Sequence, residues 1–494
     1  MFETKTFKGQ MWIGGKFCDA KSGKTLKTIN PATEEELAEV PYAGKEDVDA
    51  AVAAARAAFP IWSGMPLIAR SMVLFEMAAK MREHHDELVE IEVLEHGTPV
   101  TVSHGFMGMA PGLLEYAAGA CRTIMGEQIP IDNTTIGFLQ KAPLGVIGLI
   151  IPWNLPIVVA CAKMGGCIGM GNTCILKGPK INSMHFCVFA KILSEVKSLP
   201  AGVVNIITGP GGSVGDAIVR HPGVDGIGMT GSSMTGKILL AAAADTVKKC
   251  SMELGGKNPA FILKDADVDQ AVHMTTGMQF NNCGQHCSSV GRYYVHEAVY
   301  DEFVEKMCAV ANSVVCGDPQ DPKTMMGPVV SQEHYDDIMG YINGAVADGA
   351  KIVAGGGRVP GFDKGFFIQP TVIIDCKHEM TCAREEIFGP VVIIIKLKDG
   401  DDVVKLANDS RYGLACFFYS KDVAKAMDYI PLIESGNVFV NTHILTGEMP
   451  WGSDVKDSGL GREGALAGIQ DFTQHRMVII RHSPGVTAAL GQEE

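Results

Sequence analysis

From Gly145 onward the chain alternates short, β-rich apolar runs with longer helical stretches, and this period decides its fold class. The runs VIGLII (Val146 to Ile151), TCILK (Thr173 to Lys177), VVNIIT (Val203 to Thr208) and GIGMTG (Gly226 to Gly231) read as strands. INSMHFCVFAKILSEVKS and SSMTGKILLAAAA read as the helices between them. Strand, helix, strand at this spacing predicts an α/β fold with a parallel sheet and right-handed crossovers. Such sheets bind ligands at the carboxyl ends of their strands, so the residues just past each strand matter most.

A second alternating series follows SMELGGKNPAFIL, with strand candidates RYYVHE, FFIQPTVII, PVVIIIKL, LACFFYS and NVFVN. It makes a second α/β unit, from about Gly255 to Trp451. The first hundred or so residues are expected to be helical in large part, with KEDVDAAVAAARAAFP from Lys45 as an Ala-rich helix stopped at Pro60. The tail ALAGIQDFTQHRMVIIRHSP reads as a helix followed by a β-rich run; with TIGFLQKAP (Thr135 to Pro143) it could form a protruding ribbon for self-association. A length of 494 residues fits two or three such substructures.

The formal charge of -14 argues against nucleic acid, whose phosphates need clustered Lys and Arg. The start, MFETKTFKGQMWIGGKF, lacks the apolar core and cleavage site of a secretory signal, so a cytoplasmic location is expected. The fourteen cysteines are then expected to be free thiols, mostly buried. The uncharged segment Ala142 to Ala162 is about as long as a bilayer span. Pro143, Pro152, Pro156 and Asn154 interrupt it, so no membrane span is expected; it reads as a buried strand, a polar turn and a helix.

Candidate chemistry clusters at the strand ends. Gly209, Gly211 and Gly215 stand as G-x-G-x-x-x-G between a strand and a helix, one residue off the usual dinucleotide spacing, so a plain tight turn competes evenly. Gly231 and Gly236 sit between the next strand and helix, and Lys177 and Lys180 just past another strand end can meet an adenosine ribose or its phosphate. In QFNNCGQHCSSVGR (Gln279 to Arg292) the two thiols leave a metal site, a redox pair, a nucleophile or a plain polar loop open. Cys287 lies in the Gly-, Ser- and Asn-rich part and Cys283 nearer the preceding helix end; a nucleophile needs a deprotonable thiol and oxyanion donors. His286 as a dyad partner is disfavoured, because adjacent residues usually point apart. No metal site is expected: C-x-x-C is absent, and HEMTC at His378 lacks the second His of H-E-x-x-H.

PWNLP at Pro152, MELGGKNP at Met252, FNNCGQHCSS at Phe280, EEIFGPV at Glu385 and PWGSDVKDSGLGRE at Pro450 together resemble, in order and spacing, the aldehyde dehydrogenase superfamily over nearly the whole chain. The resemblance implies NAD(P)-dependent oxidation of an aldehyde to the acid. It also implies a Rossmann-like cofactor domain (1–122 and 144–254), an α/β catalytic domain (255–456) and oligomerisation segments (123–143 and 470–494) of a homodimer or homotetramer. Carried over, Cys287 is the thiol that forms a thioester, Glu253 the general base and Asn154 the oxyanion donor. Ile151, Trp153, Lys177, Gly211, Gly215, Gly231, Ser232 and Leu254 match the cofactor cleft, and Glu386 and Phe388 the nicotinamide-ribose contacts. A cysteine esterase without redox and a CoA-acylating semialdehyde dehydrogenase are the competing readings; Glu253 favours water over CoA.

Two departures bear on specificity. Many members place a Glu, which holds the adenosine ribose, where this chain has Lys180; an ammonium attracts a 2'-phosphate, so NADP acceptance is expected beside NAD. Leu155 and Ala162 stand where relatives have aromatic residues, and His286 and Ser288 flank the nucleophile, so the pocket is expected to take a polar or functionalised aldehyde.

Overall fold

The computed structural model describes residues 7–482, so positions 483–494 of the expected C-terminal oligomerisation segment lie outside the described residues. The first sheet has eight strands, and its five central ones are parallel. They run in the order Val204–Ile207, Thr173–Lys177, Val146–Ile150, Gly226–Thr230, Lys249–Glu253. The first four of these are buried along their whole length, which is why they read as continuous apolar runs. From Val146–Ile150 the chain builds first to one side and then to the other. The topological switch therefore falls at the end of that strand, where residues 151–155 turn out of the sheet before the helix Pro156–Gly169. This is the strand, turn and helix expected for the uncharged segment, and no described helix is long and apolar enough to cross a membrane.

The second sheet has seven strands in the order Lys351–Ala354, Thr371–Ile374, Val391–Leu397, Val290–His296, Asn258–Ile262, Ala415–Tyr419, Asn437–Val440. All neighbours are parallel except the first pair. Within FFIQPTVII only Thr371–Ile374 is strand, because Pro370 before it has no amide to give a ladder. A third sheet pairs Thr473–Arg481 antiparallel with Thr135–Pro143, as the tail predicted, and adds Glu127–Asp132 at its edge.

Two expectations for the N-terminal region need correction. Met11–Ile13, Lys16–Cys18, Thr25–Ile29 and Glu36–Pro41 are strands, and helices begin only at Lys45. Thr25–Ile29 alternates exposed and buried residues, a period of two that the alanine-rich stretch after it overshadowed. Pro60 does not stop its helix, which runs from Lys45 to Gly64. A proline costs about 3 kcal/mol inside an exposed helix. Here the last turn is held by fully buried Trp62, whose Nε1 donates to the Ile168 carbonyl at 2.9 Å.

Candidate active site

A cavity of about 1000 Å³ is lined by the carboxyl ends of the first sheet and by loops of the second α/β unit. Ile151, Trp153, Lys177, Lys180, Gly211, Gly231, Ser232, Leu254, Glu386 and Phe388 all line it. Gly215 does not: the turn Gly211–Gly215 winds as a single π-helical turn, which places Gly215 beneath the surface toward Ile150.

The residues on this side fit a dinucleotide. Lys177 is 3 % exposed, and burial lowers its ammonium to about 8. No hydrogen-bond or ion-pair partner is found for it among the described residues, so it calls for an acceptor from outside. The helix Ser233–Ala244 opens on the cavity at Gly231, Ser232 and Thr235; Ser232 Oγ accepts from the Thr235 amide, and the other first-turn amides are donors for an anion. Glu386, pushed up to about 7 by burial, accepts from the Gly256 amide at 2.9 Å. Trp153 is held among His96, His334 and Phe388 at ring separations of 6.1, 5.2 and 5.4 Å.

The loop that carries Cys283 and Cys287 follows the helix Val268–Phe280. Asn282, Cys283 and Gly284 are consecutive left-handed residues, with φ of 51°, 56° and 66°. A Cβ on Gly284 would collide with the Gly389 and Gln279 carbonyls, so only glycine fits this reversal. The turn sends the two thiols apart. Cys283 is buried away from the cavity, its Sγ on the Gly327 and Pro328 carbonyls at 3.1 and 3.3 Å. Cys287 lines the cavity, and its loop is pinned by Asn258 Nδ2, which donates to the Cys287 and Ser289 carbonyls at 2.8 Å each. Strain at such a turn is tolerated where the surroundings over-determine it.

Glu253 ends its strand 3 % exposed, accepts from Trp451 Nε1 at 3.0 Å and lines the cavity together with Cys287, close enough for each charge to act on the other. Burial, then the neighbouring Glu463 charge, pushes the Glu253 carboxyl up to about 8. Burial and the Glu253 charge likewise push the Cys287 thiol up. The pair therefore keeps its protons near neutrality. Asn154 lines the same cavity; its Nδ2 donates to the Gln285 carbonyl at 2.9 Å, which leaves its second N–H available.

His286 lines the cavity edge-on to Phe106 at 6.0 Å, and burial pushes it down to about 4, so the ring is neutral. No hydrogen bond joins it to Cys287 among the described residues. Leu155, Ala162 and Ser288 also line the cavity. The wall is more apolar and more aromatic than these positions suggested, because Phe106, Met109 and Leu113 come from the distant helix Val100–Ala120 and Trp451 from a late loop. The sequence reading also missed the pair behind Glu253, Lys163 with Glu463 at 3.1 Å. A lone lysine in the apolar helix PIVVACAKMGGCIG was the available signal, since a buried ammonium needs a partner. His378 is taken up by Tyr294, Arg384 and Asp409.

A doubly wound sheet whose nucleotide-type crevice opens onto a thiol–carboxyl pair is the architecture of a nucleotide-dependent oxidoreductase. The chain belongs to the Aldehyde dehydrogenase family, whose sequence pattern matches residues 17–478. It is 39% identical over 485 residues to the mitochondrial aldehyde dehydrogenase of Mesocricetus auratus, covering 97% of this chain and 96% of that one. It is 38% identical over 484 residues, 96% of its length, to the cytosolic 10-formyltetrahydrofolate dehydrogenase of Xenopus tropicalis, and spans about half of that relative, 53%. The NAD+ complex structure of aldehyde dehydrogenase from Bacillus cereus superposes with a TM-score of 0.94 at 35% identity, over 97% of this chain and 98% of that one.

Proposed function

We propose that the protein oxidises an aldehyde to its carboxylic acid with NAD or NADP, with Cys287 as nucleophile, Asn154 as oxyanion donor and Glu253 as the base that activates water. The observation that carries this reading is that Cys287 and the buried Glu253, itself held by Trp451, line one cavity, which the unpartnered Lys177 also lines. Lys177, Ser232 and the amides of its helix would take the pyrophosphate side of the cofactor and Glu386 a ribose, with Trp153 and Phe388 as apolar walls. When bound, the cofactor accepts the hydride that leaves the substrate carbon.

The chain's own residues do the rest. The Cys287 sulfur adds to the carbonyl as its proton passes to the Glu253 carboxylate, and the oxyanion accepts hydrogen bonds from Asn154 Nδ2 and the Cys287 amide. Loss of hydride leaves a thioester on Cys287. Glu253 gives the thiol's proton up to solvent, then takes one from water, whose oxygen attacks the thioester; that proton passes to the departing Cys287 sulfur, releasing the acid and the thiol. Because the folded Glu253 carboxyl sits at about 8, its base form is scarce at neutral pH and fills as pH rises. Turnover is therefore expected to climb through about pH 8 and then level off, and a steady-state pH profile checks this; a flat profile between pH 6 and 9 would reject the assignment of Glu253.

The apolar wall supports an aldehyde with an apolar body, with polarity confined to the region of His286 and Ser288. Lys180 supports NADP acceptance: it lines the cavity, exposed, without a carboxylate in its own segment. Lys180→Glu is expected to lower kcat/KM for NADP by about five- to tenfold relative to NAD, the modest size following from solvent screening of an exposed charge. An unchanged cofactor ratio would discard this role. Exposed Ile136, Met477, Ile479 and Ile480 on the three-stranded ribbon support self-association as a homodimer or homotetramer. We take the two large sheets as the cofactor and catalytic domains and the cytosol as the location. The test of the whole reading is a panel of aldehydes with each cofactor, followed by reduced-nicotinamide absorbance.

A further inference from the structure

We infer that a buried triad, Glu92–His185–Glu95, is a positioning element that couples the cofactor segment Lys177–Asn182 to the nucleophile loop Asn282–Cys287. This rests on the reading of the cavity given above. Glu92–His96 forms one turn of π-helix, a local widening that brings Glu92, Glu95 and His96 inward with no exposure at all. His185 lies between the carboxylates: its Nε2 is 2.8 Å from Glu92 Oε2, and its Nδ1 meets Glu95 Oε2. With a carboxylate on each nitrogen, the ring is held protonated, up to about 9, against its burial. A cluster of acids around a buried, protonated ring is a poor way to gain stability, since apolar residues of similar volume would serve as well. What the triad does supply is fixed geometry, in two directions.

One direction is the cofactor side. Glu95 accepts from the Met184 and His185 amides at 2.8 and 2.9 Å, so it ties down the N-terminus of the helix Ser183–Ser194. The segment just before that helix carries Lys177 and Lys180 into the cavity. The other direction is the catalytic side. Glu92 Oε1 accepts from Thr98 Oγ1 at 2.9 Å, and Thr98 Oγ1 in turn accepts from His96 Nδ1 at 2.7 Å, that ring being neutral through burial. Thr98 also touches Asn282, whose Nδ2 donates to the Asn154 carbonyl at 3.0 Å, while the His96 ring stacks on Trp153. Asn154 is thus reached through Asn282, which stands near the start of the loop that carries Cys287, and the triad itself touches no reacting atom.

The test separates the two directions with two readouts on the full chain: equilibrium titration with NADP+ by calorimetry, and the rate of the first turnover at saturating cofactor. Glu95→Ala is expected to weaken NADP+ binding about tenfold and change the first-turnover rate by less than about twofold. Thr98→Val is expected to do the reverse, slowing the first turnover about tenfold with binding within about twofold, and Thr98→Ser, which keeps the hydroxyl, should restore it. His185→Leu should impair both. Folded variants in which binding and first turnover both stay at wild-type values would overturn the proposal, as would parallel loss of both in Glu95→Ala and Thr98→Val. Loss of the folded state in every variant, Thr98→Ser included, would make the triad a stability element only and would overturn it too. Wild-type protein that binds NADP+ yet oxidises no aldehyde would instead refute the proposed function, and the binding arm would still be read.

Discussion

Glu253→Gln is expected to release about one equivalent of reduced cofactor per site rapidly and then turn over about a hundred- to a thousandfold more slowly than the native enzyme. The amide is nearly the same size, and it can keep the hydrogen bond from Trp451 Nε1, so the cavity should stand. It cannot take a proton, so the step that needs an activated water suffers most. Acylation also draws on Glu253 to receive the thiol proton, and the burst itself should be slower than native, yet faster than the following turnover. The pH rise through about 8 should vanish with the carboxyl. Stopped-flow absorbance checks both: a variant with native steady-state rates would remove Glu253 from the account.

Cys287→Ala carries the largest effect. Without the sulfur no covalent intermediate forms, and both burst and turnover are expected to fall by about a thousandfold or more. Cys283→Ala is the control, because that thiol is buried on the Gly327 and Pro328 carbonyls and lies outside the cavity lining. Its cost should be in thermal stability, by a lost pair of weak hydrogen bonds and a small void, of about 1 to 2 kcal/mol. Equal loss of first-turnover activity in the two variants would overturn the assignment of the nucleophile.

Much of this was legible in the sequence because parallel strands buried on both faces leave an unmistakable mark. Val146–Ile150 and Thr173–Lys177 are legible almost to the residue, and the strand ends locate Lys177 and Gly231, whereas Glu253 is legible only through the motif MELGGKNP. Asn258–Ile262 is not legible as a strand, since Pro259 follows its first residue and NPAFIL shows no alternation; its place in the middle of the second sheet comes from partners far away in the chain. The same limit explains the site. Asn154, Glu253 and Cys287 sit in motifs that are recognisable in sequence, whereas Phe106, Met109 and Leu113 reach the cavity only through packing of a remote helix. Gly215 lies off the cavity for a local reason, a π-helical turn at Gly211–Gly215 that glycine spacing does not reveal. The Glu92–His185 contact joins residues about ninety positions apart, beyond the reach of any periodicity.

The most direct measurement is mass spectrometry of Glu253→Gln quenched in acid during turnover with an aldehyde and cofactor. The account predicts an acyl group in place of the thiol proton, a gain of the aldehyde less two hydrogens, on the tryptic peptide Asp265–Arg292, with fragment ions placing it on Cys287 and not on Cys283. An acyl group on Cys283, or reduced cofactor formed in stoichiometric amount with no acyl group on any cysteine, would contradict it.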